Sequence, residues 1–420
     1  MKKQILITSA MIVACLTYGA GFQTLEQGAS NFGTANAGAI VNANADATAA
    51  FWNPSAGFNS GLKIGETKLD ATFSLVVSAF DFYADKGNRP LGQSGDAGCE
   101  CVVPNMYVLH RLSEDFMFTF SVTPTYALET DYENGWILTD KALNSEITTI
   151  DINPSIAYKI TDWLTISGGV SAQWCHGHLT NAMGYHPSYG YIGSSKISGD
   201  SWAVGGNIGF TVNYAEDGRI GFHWRSEVNH TLKGNWSRKI PPAFAPSFSP
   251  ITAGISPVEL GLDLPQTFSI GWYQRLRGDW KRIALMADYM YTLWSSFDRL
   301  SIKGAPVNVD EDWRNTSRVS LGVHIYPFDH DNTVLRLGTA WDQTPVKDGE
   351  HRYARIPCTD RIWFSGGIGH KIGNVNIDFA YTYIFFYKDP RMDGDAKSTT
   401  VAGYFEGAAH VVSVQFGYKF

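Results

Sequence analysis

Apolar and polar residues alternate with a period of two along most of the chain. From Asn374 one row of alternate positions is apolar and the other is mainly polar, and the same split recurs over 318–325 and 219–225. The apolar row of the first segment is Val375, Ile377, Phe379, Tyr381, Tyr383 and Phe385. Alternate side chains of a strand point to opposite faces, so each segment predicts a strand with one apolar and one polar side. A single such strand also fits a soluble sandwich, whereas repetition along the chain favours a barrel.

The connections between these strands alternate in length. Short polar turns are predicted at 113–115, 161–162, 216–218, 277–279, 329–332 and 373–374. Longer connections are predicted near 83–101, 131–143, 181–194, 239–261, 304–312, 343–359 and 387–400. Transmembrane barrels have short periplasmic turns, long extracellular loops and an even number of strands. The pattern therefore predicts an all-β fold, a fourteen-stranded antiparallel transmembrane β-barrel.

The last segment places apolar residues at alternate positions up to the C-terminal Phe420. An aromatic residue at the end of a final strand resembles the signal that barrel-assembly machinery recognises, so we expect that machinery as a partner during biogenesis. An ordinary edge strand with this pattern would expose an aggregation-prone edge, which closure of a barrel removes.

The first 19 residues have the pattern of a secretory signal peptide. Lys2 and Lys3 precede a short apolar run over 5–16, and small residues follow. The alternative is lipidation at Cys15, because residues 12–15 have the spacing of a lipoprotein cleavage site. A signal peptide followed by a transmembrane barrel predicts location in the outer membrane of a Gram-negative bacterium. There the protein would contact lipid and lipopolysaccharide.

Composition agrees with a barrel and excludes some functions. Charged residues are 17% of the chain, below the roughly 25% of soluble domains. The mean hydropathy of −0.14 is too polar for a bundle of membrane helices and suits strands with one wet face. The net charge is −7, so no basic surface suggests nucleic acid as a partner.

Residues 20–61 do not alternate and are rich in Gly, Ala and Asn. This composition suits a compact plug inside the barrel, and the alternative is a disordered linker. Phe22, Phe32, Phe51 and Trp52 favour the plug, because these side chains need burial. The predicted organisation is therefore a signal peptide over 1–19, a hatch over 20–61 and a barrel over 62–420.

Several segments resemble the FadL/TodX-type transporters of long-chain fatty acids and hydrocarbons. They are the opening at 20–23, the small-residue run at 33–38, Asn53-Pro54, 167–170, 219–226, 294–297 and the pair Arg355-Ile356-Pro357 and Asp360-Arg361-Ile362-Trp363. The resemblance covers essentially the whole mature length. It implies a hatch inside a fourteen-stranded barrel and passive uptake of hydrophobic molecules. It also implies capture at the third and fourth extracellular loops and lateral release through the third strand.

The resemblance assigns candidate residues to each step. Capture at the two loops involves Met183, Tyr185, Tyr189, Tyr191, Phe244, Phe248 and Ile251, for which packing of the loops on each other is the alternative. The hatch and gating residues are Phe22, Asn53, Pro54, Ala56, Pro124 and Ala127. Proline lacks a ladder donor, so Pro124 predicts a break in the third strand. Ala127 stands where the family often has Gly, which weakens a glycine-based kink.

A ligand carboxylate would need a cation in the lumen. The inward candidates are Arg219, Arg225, Arg318 and Arg336, and the alternative for each is a structural pair with Asp or Glu. Arg355 and Arg361 flank the sixth long loop and are equally consistent with a structural role.

Four cysteines, Cys99, Cys101, Cys175 and Cys358, fall near the predicted extracellular ends. We expect Cys175 or Cys358 to form a disulfide with Cys99 or Cys101, since the exterior is oxidising. Cys175 with His176 and His178 suggests a metal site only weakly, so neither a metal nor a cofactor is expected.

Two other functions compete with hydrophobic uptake. A general diffusion porin or a purely structural barrel would not need the small-residue plug. An enzyme would need a nucleophile beside a base, and the eleven histidines form no such arrangement, so no catalytic residue is assigned. We expect a monomeric, non-enzymatic channel.

Overall fold

The computed structural model describes residues 21–86, 94–186, 188–244, 253–328, 330–387, 390–393 and 401–420. The predicted signal peptide, Cys15, Phe248 and Ile251 lie outside the described residues. Within these ranges, no helix combines the length and the hydropathy needed to cross a membrane.

The described residues form a closed antiparallel barrel of fourteen strands, as predicted. Neighbouring strands pair in chain order, and the first pairs with the last from Lys68 opposite Lys419 to Phe80 opposite Gly407 and beyond. The strands are β1 Thr67–Lys86, β2 Glu100–Arg111, β3 Phe116–Thr123 and Ala127–Asp131, β4 Asn144–Lys159, β5 Leu164–His186, β6 Gly190–Ala215, β7 Gly218–Arg225 and Val228–Lys239, β8 Gly254–Leu264 and Thr267–Arg275, β9 Ile283–Thr292, β10 Thr316–Ile325, β11 Thr333–Asp342, β12 Arg361–Ile372, β13 Val375–Phe386 and β14 Ala402–Lys419. Short strands at Ser94–Asp96, Arg299–Lys303, Val307–Asp310 and Arg391–Met392 extend the same sheet.

The alternation in the sequence separates an outer from an inner face. On β10 the side chains of Val319 and Leu321 are exposed, whereas Arg318 and Ser320 are buried in the interior. Exposed apolar residues also occur at or next to the short turns: Leu112, Ile160, Trp163, Trp280, Phe328 and Ile372. An apolar outer band that ends in aromatic residues is typical of a barrel surrounded by lipid.

One predicted connection is wrong. The segment 181–194 was expected to be a long loop, but β5 and β6 contain 23 and 26 residues and only 187–189 separate them. Pairing continues through Met183 with Gly193 and Tyr185 with Tyr191, so the residues of the expected loop complete a hairpin. A strand needs about 9–11 residues to cross a bilayer. Both strands therefore continue beyond the membrane on the side of the long connections.

The third strand is interrupted between Thr123 and Ala127. Its first segment pairs with β2 only as far as Met106 opposite Val122, and its second segment pairs with β4 alone. Among the described residues, 100–105 of β2 thus have no ladder partner on the β3 side. Pro104 and Pro124 border this opening, and each lacks a backbone N–H. Of these two prolines, only Pro124 was expected to mark the break.

Residues 21–61 form a segment packed against the inward faces of the strands. It contains three short helices, Ala29–Phe32, Ala49–Trp52 and a 3-10 helix at Pro54–Ser60. The amides of Gly38 and Ile40 donate to the Asp288 carboxylate at 2.8 and 3.1 Å, which ties the segment to β9. We call residues 21–61 the N-terminal segment; its boundary as a separate hatch domain stays a prediction.

The three predicted hatch residues at 53–56 lie where this segment meets β5 and β6. The Asn53 amide donates to the Ile40 carbonyl at 2.9 Å and to the Thr211 hydroxyl at 3.2 Å. Pro54 begins the 3-10 helix and Ala56 is fully buried within it. Proline suits the first turn of a helix because no N–H is needed there.

Candidate ligand-binding site

A cavity of about 680 Å³ lies inside the barrel on the side of the long connections. Its wall is formed mainly by inward residues of β5, β6, β7 and β8, where these strands extend beyond the membrane. The apolar lining includes Leu128, Ile147, Leu179, Ile197, Leu232, Trp236, Val258, Leu262, Phe297 and Ile356. Its size and apolar wall suit a hydrophobic small molecule.

A second, more open groove of about 650 Å³ adjoins the cavity toward the exterior. Ile192, Ile240 and Pro241 line the groove, and Ala182 and Tyr191 line both spaces. The two spaces therefore meet at the outer end of the β5–β6 hairpin, beside the connection that follows Lys239.

The structure distributes the predicted capture residues over this region. Met183 and Tyr191 line the cavity. Tyr189 and Phe244 instead form a T-shaped aromatic contact at 5.4 Å, which is the loop-on-loop packing considered as the alternative. Tyr185 is placed through its backbone pairing with Tyr191. The part of these residues in ligand capture stays a prediction.

Phe22 lies in an aromatic cluster at the inner end of the cavity. Its ring is fully buried and packs at 4.9 Å from Trp294, with Tyr126, Phe297 and Trp313 at about 6 Å. Phe297 also lines the cavity. The N-terminal segment thus packs behind Phe297 at the inner end of the cavity and does not line the cavity itself.

Six residues of ordinarily charged types line the cavity: Asp140, Lys141, Glu146, Glu311, Arg352 and Arg355. Arg355 donates from Nη1 to the Ser145 hydroxyl at 2.7 Å and to the Asn144 carbonyl at 3.3 Å, and from Nη2 to the Thr180 carbonyl at 3.2 Å. Enclosure by protein lowers its pKa to about 10, so it is a cation at neutral pH. Burial raises the pKa of Glu311 to about 8, so this carboxyl is mostly neutral there.

The four arginines predicted for the lumen do not line the cavity. Arg318 donates to the Ala35 carbonyl at 2.9 Å, and Arg336 to the Asn44 side chain at 2.9 Å and to Asp378. Arg225 contacts Asp151 and the Phe51 carbonyl, and Arg219 lies 4.4 Å over the Tyr273 ring. Three of the four therefore hold the N-terminal segment directly. Their role toward a carboxylate ligand stays a prediction.

The expected disulfide is wrong. Among the described residues, no disulfide joins any of Cys99, Cys101, Cys175 and Cys358. Cys101 lies on β2 and Cys175 on β5, three strand spacings apart at about 5 Å each, whereas bridged Cα atoms lie within about 7 Å. The Sγ of Cys358 instead accepts from the Thr344 hydroxyl at 3.0 Å. In the part of the chain that the structure describes, no group of three His, Cys, Asp or Glu is placed to hold a metal.

Comparison with known proteins decides the family. The family described as "Outer membrane protein transport protein (OMPP1/FadL/TodX)" matches residues 10–420. The chain belongs to this family. It is accordingly an outer-membrane protein of a family of transporters, as the resemblance implied.

Relatives and solved structures agree over the full length. A 47 kDa outer membrane protein of Pasteurella multocida is 27% identical, with 99% of this chain and 98% of the relative covered. A long-chain fatty acid transport protein of Escherichia coli O6:H1 is 26% identical, with 100% and 98% covered. A Pseudomonas aeruginosa FadL homologue has a TM-score of 0.80 at 22% identity, covering 95% of this chain and 99% of that one. The Pseudomonas putida toluene transporter TodX has a TM-score of 0.63 at 14% identity, covering 96% and 99%. At these identities the structures support the fold alone.

Some residues of the site were not assigned a ligand role from the sequence. Arg355 stood in a family-like segment with a structural role as an equal alternative, and Arg352 and Glu311 were not considered. The only signal was the unusual number of charged residues beside apolar ones in 311–314 and 350–361.

Proposed function

We propose that this chain is a passive outer-membrane channel for hydrophobic molecules, long-chain fatty acids or related hydrocarbons. The observation that carries the proposal is the apolar cavity of about 680 Å³ between an outer groove and the N-terminal segment. A water-filled pore offers apolar molecules no favourable interaction, whereas an apolar cavity does. Relatives named as long-chain fatty acid transport proteins support this ligand class.

Entry begins at the outer groove. Ligands that partition into the groove reach the cavity past Ala182 and Tyr191, which border both spaces. The hydrophobic effect favours each transfer, because every step moves apolar surface from water to protein. No energy source is required for such downhill movement.

Exit is proposed through the wall of the barrel rather than along its axis. The N-terminal segment fills the interior below the cavity, and the break in β3 lies beside it. Phe22 packs against Phe297 at the inner end of the cavity, and its carbonyl accepts a hydrogen bond from the Ala127 amide at the edge of the break. Displacement of Phe22 would connect the cavity to the opening bordered by Pro104 and Pro124. The ligand would then leave sideways into the lipid without crossing water.

Deletion of residues 21–61 behind an intact signal peptide tests the plugged channel. We expect raised ion conductance in planar bilayers and loss of selective uptake of labelled oleate by cells, with the barrel still heat-modifiable on gels. Unchanged conductance and uptake would show that the segment is not a plug.

A general diffusion porin is the second candidate, and it requires an open polar lumen. The buried N-terminal segment argues against an open lumen. The transport proteins among the relatives support a transporter rather than an enzyme. Contact with lipopolysaccharide, help from barrel-assembly machinery and a monomeric state are part of the proposal.

A further inference from the structure

The sheet formed by β5 to β8 continues beyond the membrane, and its outer face begins where the apolar band ends. Along β6 the outward side chains of Val204 and Trp202 are 80% and 64% exposed, and Trp202 lies opposite Trp174 of β5. Aromatic residues at the end of an apolar band mark the boundary of the lipid. Asp200 and Lys196 lie two and six residues beyond Trp202, about 7 and 20 Å along a strand that rises about 3.3 Å per residue. The outer face beyond Trp202 is therefore level with the head groups and sugars of the outer leaflet.

Two lysines of this outer face have no fixed counter-charge. Lys233 of β7 lies opposite Asp200, and Lys196 of β6 lies opposite Ser237. Asp200 contacts the His176 ring at 2.9 Å instead of the lysine. Both lysines are exposed, and within the described ranges neither ammonium group lies within ion-pair distance of a carboxylate. Two cations of this face are therefore available to an anion outside the barrel.

The residues of β7 around the lysines are polar and uncharged on the outer face. They are Thr231, Asn235 and Ser237. Leu232 and Trp236 alternate with them, are buried and line the cavity, so the polar row faces outward. Hydroxyl and amide groups donate and accept hydrogen bonds, as the hydroxyls of a sugar also do. The face thus combines cations with hydrogen-bonding groups, which is the complement of a phosphorylated oligosaccharide.

The opposite side of the barrel has the opposite charge. In the closed ring of fourteen strands, β14 lies seven strands from β7. There Asp81 of β1 lies opposite Glu406 of β14 and also opposite Asp96 of the short strand Ser94–Asp96. Three carboxylates beside one another repel an anion. Direct contact with a phosphate group is therefore favoured on the β6–β7 side and opposed on the β1–β14 side.

We infer that the outer face of β6 and β7 beyond Trp202 is a docking surface for the phosphate groups of lipopolysaccharide. The inference rests on the contact with lipopolysaccharide in the proposed function and assigns that contact to one surface. Lys233, level with Asp200, binds a phosphate near the lipid, and Lys196 binds one on the inner sugars, about 13 Å farther along the strands. One rigid sheet carries both lysines, so a single lipopolysaccharide molecule can contact both. A basic residue near an anionic membrane surface contributes about a fivefold gain in affinity.

The test compares two glycolipids that differ only in their phosphate groups. Native mass spectrometry of the purified full-length protein measures the binding of rough lipopolysaccharide before and after chemical removal of its phosphates. EDTA is present throughout, so that divalent cations cannot bridge phosphate to the carboxylates around Asp81. We expect wild type to prefer the phosphorylated form, and K196Q/K233Q to bind that form roughly 10- to 30-fold more weakly. Binding of the dephosphorylated form should be the same in both proteins.

K281Q/K371Q is the matched control, because it removes the same charge from two exposed lysines at the end with the short turns. D81N/E406Q removes two carboxylates from the acidic side and should not weaken binding. Unchanged affinity in K196Q/K233Q, or an equal loss in either control, would overturn the inference. Equal binding of the two glycolipids by wild type would overturn it as well, because phosphate would then not be recognised. If wild type bound neither glycolipid, the contact with lipopolysaccharide in the proposed function would itself fail.

Discussion

The backbone N–H of Ala127 donates a 2.9 Å hydrogen bond to the carbonyl oxygen of Phe22. This bond joins the second segment of β3 to the first described turn of the N-terminal segment. Beside this bond, the Thr24 amide donates to the Thr125 carbonyl at 2.9 Å. The Gln27 side-chain amide donates to the Pro124 carbonyl at 2.8 Å. The N-terminal segment thus supplies partners to the interrupted strand. The same bond holds the Phe22 ring against Phe297, which lines the cavity, so the inner end of the cavity and the wall opening are coupled.

A127P tests this coupling. Proline removes the N–H that bonds to Phe22 and, since that N–H does not point into the β4 ladder, leaves the pairing there otherwise intact. One hydrogen bond has a net value of about 1 kcal/mol. The population of molecules in which the N-terminal segment is detached from β3 should therefore rise about fivefold. We expect more frequent opening events in planar bilayers. A127G retains the N–H and is the control. An equal frequency of opening events in A127P and A127G would contradict the coupling.

Variants at Phe22 and Phe32 distinguish an effect on the inner end of the cavity from a loss of global stability. Both rings are fully buried in the N-terminal segment, but Phe22 packs under the cavity while Phe32 packs 5.6 Å from Trp363. Truncation of a buried Phe costs about 3–5 kcal/mol in either place. We expect F22A to speed release of bound oleate and to raise conductance, and F32A to lower thermal stability without that effect. Faster release of oleate in both variants would mean that Phe22 has no special role at the inner end of the cavity.

Much of the fold could be predicted from the sequence, for particular reasons. The alternation around Val319 and Ile377 is local, so it predicted strands, faces and strand number. The hairpin of β5 and β6 was mistaken for a loop because its glycines and polar residues resemble a loop, and only pairing across the hairpin identifies a strand. The sequence left the role of Arg355 open, because its partners Asn144 and Thr180 are 211 and 175 residues away in the chain. Which cation faces an apolar space depends on such distant contacts.

Gly338 tests how closely the N-terminal segment must approach β11. A Cβ at this position would lie 2.2 Å from the carbonyl carbon of Thr34, a backbone atom that cannot move without shifting the segment. We expect G338A to destabilise the folded barrel by about 1–3 kcal/mol, as overpacking does. The conversion temperature on semi-native gels measures this. At Gly366 a Cβ would meet Leu337 at an ordinary 3.7 Å, so G366A should match wild type. A G338A protein as stable as G366A would exclude the tight contact.

Glu311 predicts a pH dependence of ligand binding. Burial raises its pKa to about 8, although the indole N–H of Trp313 opposes this by stabilising the carboxylate. Its charged neighbours in the chain are Asp310, which pairs with Arg299 at 2.7 Å, and Asp312, which pairs with Lys347 at 2.6 Å. The carboxyl is therefore mostly neutral below pH 8 and becomes a further negative charge at the cavity wall above it.

We expect the affinity for oleate to fall as the pH rises through about 8, while the affinity for oleyl alcohol changes little. Arg355, with a pKa of about 10, stays protonated in this range and cannot cause the fall. Folding stability should change with the same sign. The folded state keeps a proton that the unfolded chain, with a carboxyl pKa of 4.5, has released, so stability declines between pH 4.5 and 8. E311Q should flatten both profiles. Oleate titrations of wild type and E311Q from pH 6 to pH 9 check this, and parallel profiles would show that Glu311 does not face the ligand.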